Sequence, residues 1–158
     1  FNPIIMKDYR MSTFRDFVGE LTAIYRRTEL PSVNITRSQD AADFIRPMFD
    51  EIMDDHEQTK VIHLSRSNGV VNVHHCSQGD VAGTVVPVKL ILRHALMIQV
   101  SGIIMVHNHP SGRLKPSEAD RKITEKLKAA CALVDIQFLD SIIITREGYY
   151  SMADQGDF

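Results

Sequence analysis

The residues most able to do chemistry lie in one stretch, His107-Asn108-His109-Pro110-Ser111-Gly112, followed by Pro116-Ser117-Glu118-Ala119-Asp120. It follows an apolar run, Ile103 to Val106, that reads as a strand buried on both faces. Side chains at i and i+2 of a strand share a side, so His107 and His109 can aim two imidazoles at one point. Pro110 ends the strand, and the Ser111-Gly112 loop lets the chain turn back. Asp120 falls one turn into the next helical segment and can bring a carboxylate to the same place. Two imidazoles and a carboxylate make the protein shell of a catalytic zinc ion, with a position left for water. In α/β sheets, sites gather where strands give way to loops. The expected cofactor is one Zn2+ per chain, on His107, His109 and Asp120.

A plainer reading competes for two of these residues. Ser117-Glu118-Ala119-Asp120 is also a capping box, in which Ser117 caps the helix and Asp120 bonds back. Capping leaves two histidines at the mouth of a buried strand unexplained. Ser117 can serve both roles, its backbone starting the helix and its hydroxyl facing the site.

The elements around this stretch are legible as periods. Ser38 reads as the N-cap of an amphipathic helix through Ala41, Ala42, Ile45, Phe49 and Met53, kinked or divided at Pro47. Thr59 to Ser65 and Val70 to Cys76 are strand-like, with Asn68-Gly69 as the turn dipeptide between them. Pro87 to Gln99 reads as a helix ended by Ser101-Gly102, and Ser117 to Val134 as another. Ile136 to Thr145 is a strand, and Tyr149 to Met152 can pair with it. Helices and strands alternate, so the fold class is α/β with a single mixed β-sheet flanked by helices. Residues 12–28 carry both a helical and an alternating pattern, and residues 1–37 are expected to form an N-terminal arm or an extra helix or strand.

Composition sets the outer bounds. A chain of 158 residues suits one sizeable core. Its net charge of −2 gives no basic footprint for nucleic acid. Two cysteines, Cys76 and Cys131, make no disulfide framework and read as small buried residues in a reducing compartment. No apolar run reaches the ~20 residues of a membrane span, and the N-terminal residues lack a signal-peptide pattern. The expected location is cytoplasmic.

The string His-x-His-Pro-x(6)-Ser-x-x-Asp resembles the JAMM metalloprotease signature, and His107-Asn108-His109-Pro110-Ser111-Gly112 resembles its RadC branch. Agreement extends outward through Ser77-x-Gly79, Pro87-x-Lys89, Arg93-x-Ala95-Leu96, Leu139-Asp140 and Tyr150-Ser151-Met152-Ala153. The resemblance covers residues 38–158 and implies an MPN/JAMM architecture, similar to that of cytidine deaminases. It also implies a glutamate at the start of the domain's first strand, and Glu57 takes that place; Glu51, Asp54 and Asp55 nearby read as surface acids. The implied activity is zinc-dependent hydrolysis of a peptide or isopeptide bond in a protein substrate of unknown identity. Glu57 would move the proton, and Ser117 would donate to the oxyanion. Asp140 and Ser77 are expected close behind the ligands. The usual His after Leu-Asp is replaced here by Ser141. Longer RadC proteins carry a helix-hairpin-helix region, for which the stretch before residue 38 is too short.

The remaining histidines, His56, His63, His74, His75 and His94, read as surface or packed residues, with His75 nearest the Ser77 loop. Arg113, Lys115, Arg121, Lys122, Lys126 and Lys128 read as a solvated basic flank. The family name suggests the alternative of a non-catalytic binding module in DNA repair or mobile-element biology; self-association stays open. A nuclease of the HNH kind would disperse its motif over a ββα unit, and a zinc deaminase would need His-x-Glu and Pro-Cys-x-x-Cys, which this chain lacks.

Overall fold

The computed structural model describes residues 18–78 and 87–158 of the chain, with the side chains of Ser77 and Gln78 outside that description. Five strands form one sheet in the order β2-β1-β3-β4-β5. They are β1 (Gln58–Leu64), β2 (Val70–Gln78), β3 (Gly102–Asn108), β4 (Gln137–Ile144) and β5 (Tyr149–Ser151). Only the β3–β4 pair is parallel. A parallel pair needs a long crossover, and here it is α3 (Glu118–Leu133). The expected α/β class with one mixed sheet is what the chain forms.

β3 lies at the centre because both of its faces are apolar. All seven of its residues are buried. Ile104 and Val106 face α1 (Ser38–Ile45) and the 3-10 turn Arg46–Phe49, in a core with Ile45, Phe49, Ile62, Leu64, Ile142 and Ile144. Ile103 and Met105 face α2 (Val88–Met97) and α3, in a second core with Val61, Ile91, Ala95, Leu127 and Cys131. Alternate strand residues thus feed opposite layers, and both cores stop where β3 reaches His107 and Asn108.

Several local readings shift. The division at Pro47 is real: α1 ends at Ile45 and the chain tightens into the 3-10 turn. Ser38, however, is the first helical residue and not the cap. Arg37 holds the cap position, and Asp40 reaches back to accept from Thr36 N at 2.9 Å and Arg37 N at 3.1 Å. Those bonds, the Thr36 hydroxyl first, hold the Asp40 carboxyl down to about 2. The β1–β2 hairpin closes over Ser65–Gly69, with Asn68 in the left-handed region at φ 62. Residues 18–33 form neither helix nor strand. Their apolar side chains, Val18, Leu21, Ile24 and Tyr25, are exposed, and without a surface to cover, a short helical pattern has little to stabilise it. The segment is fastened to the start of β2: the Tyr25 hydroxyl donates to Val71 O, Ser32 Oγ donates to Val70 O at 2.7 Å, and Val70 N donates to Val33 O and Ile35 N to Asn68 O, both at 2.9 Å.

Gly102 does not terminate α2. It is the first residue of β3, packed against Leu139. The turn out of α2 is made by Gln99, at φ 50. A side chain in the left-handed region costs roughly 1–2 kcal/mol, and glycine there loses part of that gain to its freer unfolded chain. Gln99→Gly should therefore stabilise the protein by about 0.5 kcal/mol, seen as a higher urea midpoint at unchanged slope.

Three histidines stack on the α2 side of β1 and β2. His74 and His94 have ring centroids 3.9 Å apart, and His63 lies 5.3 Å from His94. His63 Nδ1 and His94 Nε2 both donate to Asn72 Oδ1, at 3.1 and 3.0 Å. His75 stands apart, its Nδ1 accepting from Lys60 Nζ at 2.7 Å. Burial pushes the Cys76 thiol up to about 12 and that of Cys131 up to about 11, so both stay protonated and unreactive near neutral pH. No helix of the described residues is long and apolar enough to cross a membrane.

Candidate metal centre

Four side chains converge at the end of the sheet. His107 is the penultimate residue of β3, and His109 follows two residues on, aimed the same way. Their Nε2 atoms are 3.0 Å apart. Asp120 Oδ1 is 3.2 Å from His107 Nε2, and its Oδ2 is 3.3 Å from His109 Nε2. Glu57, immediately before β1, places Oε1 at 3.9 Å from His107 Nε2 and 3.8 Å from His109 Nε2. Together Glu57, His107, His109 and Asp120 form a cluster that could hold a metal ion.

The loop between His109 and α3 fixes how these atoms present themselves. Gly112, at φ 79, lets the chain reverse, and Gly112 N donates to His109 O at 3.0 Å. His109 Nδ1 donates to Arg113 O at 2.7 Å. That bond places the proton on Nδ1 and leaves the Nε2 lone pair free to face the cluster. On α3 the cap and the candidate ligand are one residue. Ser117 Oγ accepts from Asp120 N at 3.1 Å, while Asp120 Oδ2 accepts from Ser117 N at 2.8 Å. The two readings of Ser117-x-x-Asp120 are thus not alternatives: a single rotamer of Asp120 serves both.

The donor set fits zinc. Atoms bound tetrahedrally at about 2.05 Å to one centre lie about 3.3 Å from each other. The separations among His107, His109 and Asp120 run from 3.0 to 3.3 Å. Two Nε2 lone pairs brought this close, beside a carboxylate, repel unless a proton or a cation lies among them. Glu57 sits beyond that spacing, beside the triad and not within it. The electrostatics agree. Burial pushes the Asp120 carboxyl up, but hydrogen bonds from His107 and His109 outweigh it and hold the group well below the usual carboxylate range. Burial likewise pulls His109 down, while Asp120, the Arg113 carbonyl and Glu57 raise it above its ordinary value.

Asp140 is buried. Its Oδ2 accepts from Ser151 Oγ at 2.5 Å and its Oδ1 from Ala153 N at 3.0 Å, which ties β5 and the turn after it to β4. A register shift in β4 beside Ile103/Ile104 sets Asp140 next to Ile104, on the α1 side of the sheet. Ser141 is next to Met105 and fully buried, its hydroxyl without a partner among the described residues. Ser77 pairs with Thr59 in β2, and its side chain lies outside the described residues, as does Gly79. Arg121 of the basic flank is paired with Asp157 at 2.9 Å. The Arg113 carbonyl was not legible as a site group, since any residue type supplies one.

A family model described as RadC-like JAB domain matches residues 35–157. A UPF0758 protein of Flavobacterium johnsoniae is 43% identical over 124 residues, which is 78% of this chain and 53% of its own length. UPF0758 proteins of Porphyromonas gingivalis and Haemophilus ducreyi are 35% and 34% identical over 124 and 102 residues. Those matches take 78% and 65% of this chain, and 54% and 46% of the relatives' own lengths. The chain thus spans about half the length of the relatives it matches. With its mixed five-stranded sheet, the match over residues 35–157 shows that the chain belongs to the RadC-like JAB-domain family.

Proposed function

We propose that this domain is a zinc-dependent hydrolase of peptide or isopeptide bonds in a protein substrate. The observation that carries the reading is the ligand spacing of His107, His109 and Asp120, with a fourth carboxylate, Glu57, set just outside it. Zinc at such a site acts as a Lewis acid on a carbonyl and brings the pKa of water to about 7. The chain's own residues supply the rest. Glu57 Oε1 takes a proton from the attacking water and passes it to the leaving nitrogen, so the same oxygen acts as base and then as acid. Its half-exposed setting keeps that oxygen open to water and substrate. His109, fixed by the Arg113 carbonyl, holds its ring still while charge builds. Ser117 Oγ is occupied as an acceptor, which leaves its hydrogen to donate to the oxyanion.

Cleavage profiling of a whole proteome tests this, with zinc-loaded wild type against Glu57→Gln. Glu57→Gln should retain about one zinc per chain and lose a factor of roughly 10²–10⁴ in turnover. Cleavage products that are the same in rate and identity for both proteins would remove Glu57 from the chemistry. A zinc-loaded wild type that cleaves nothing would favour a binding module instead.

A further inference from the structure

Asn108 stands between the two histidine ligands in sequence yet points to the opposite side of the sheet. It is fully buried. Its carboxamide bonds to backbone through both its oxygen and its nitrogen. Oδ1 accepts from Gln58 N at 2.7 Å, and Nδ2 donates to His56 O at 2.9 Å and to Met53 O at 3.0 Å. His56 O and Gln58 N belong to the two peptide groups that flank Glu57. The β1–β3 ladder ends with Thr59 opposite His107. One residue further on, the Asn108 side chain takes over the pairing that the ladder's backbone would have made.

We propose that Asn108 is a positioning residue that clamps the backbone on both sides of Glu57 and so holds that carboxylate beside the His107–His109–Asp120 triad. The role of Glu57 in proton transfer comes from the proposed function; the clamp itself does not depend on it. The chemistry asks for asparagine in particular. Aspartate offers no donor to the carbonyls of His56 and Met53, and an apolar residue offers nothing to Gln58 N. Each would leave buried backbone groups unpaired. One residue therefore couples the end of β3, between His107 and His109, to the segment that carries the acid. A displacement of about 1 Å at such an acid can cost on the order of a hundredfold in rate.

The test uses Asn108→Ala, with Asn108→Ser as a milder variant should alanine fold poorly. Amide hydrogen exchange in the zinc-free protein should quicken about tenfold or more at Gln58, whose N–H bonds to Asn108, with Ile104 to Val106 as an unchanged internal reference. Zinc should still bind once per chain, with affinity within about threefold, because the triad is untouched. On peptides from the proteome digest, kcat should fall about tenfold or more with KM within about twofold, and Asn108→Ala should cost nothing further in a Glu57→Gln background. Unchanged exchange at Gln58 overturns the clamp, as does a loss of kcat that adds in full to that of Glu57→Gln. A wild type that binds zinc and cleaves nothing sinks the hydrolase reading alone, and the exchange data then decide the clamp.

Discussion

Replacing His107 or Asp120 by alanine should strip the protein of zinc. Each contributes one of three donors whose mutual separations match a single tetrahedral shell. Loss of an outer hydrogen-bond partner typically costs roughly 10–100-fold in metal affinity, and loss of a ligand should exceed that. Protein purified without chelator should carry about one zinc per chain in the wild type and almost none in either variant. The folds should survive, since His107 lies at the end of β3 beyond both cores and Asp120 is in the first turn of α3. Elemental analysis beside circular dichroism decides it. Equal zinc in wild type and Asp120→Ala would place the cation elsewhere and end the metal-centre reading.

The second large effect is a loss of stability in acid that starts at the histidine stack. Burial first, and then the neighbouring imidazoles, pull His63 down from 6.5 to about 4, although the Asn72 bond opposes this. Burial and the nearby His94 and Arg93 bring His74 to about 4 as well. A depressed histidine is neutral in the folded chain while its unfolded counterpart already binds a proton. Stability is therefore complete above about pH 6.5 and falls as pH drops towards 4. For His63, at the bottom of the stack, the loss by pH 4.5 should be roughly 2 kcal/mol. His74 is partly exposed and adds less, because solvent screens it. Urea midpoints at pH 7 and 4.5 should separate by more in wild type than in His63→Gln, which keeps a donor for Asn72 but no longer titrates. Equal separations in the two proteins would refute the assignment.

Much of the architecture was legible because it rests on local period. Ile103 to Val106 read as a central strand because a strand covered on both faces shows a short continuous apolar run. The triad was legible for a related reason: spacing of two on a strand and a capping position on a helix are backbone geometry written directly in sequence. What was not legible is whatever depends on partners distant in the chain. Asn108 looked like one letter of a motif, and its partners lie fifty or more residues away. The five other histidines read singly as packed or solvated, yet three come from β1, β2 and α2 to form one stack. Asp140 was expected behind the ligands. Its partners Ser151 and Ala153, and the register shift in β4 that precedes it, are announced by no periodicity. The pattern in residues 18–28 was ambiguous because neither reading had a surface to cover.

The double duty of Asp120 has a thermodynamic corollary. The residue that would grip the cation also staples the opening turn of α3, so occupancy and helix nucleation are linked equilibria. Saturating zinc, at a hundred times its dissociation constant, would add about 2.7 kcal/mol to the folded state. Conversely, fraying at Ser117 would loosen the ion even though Ser117 need never touch it.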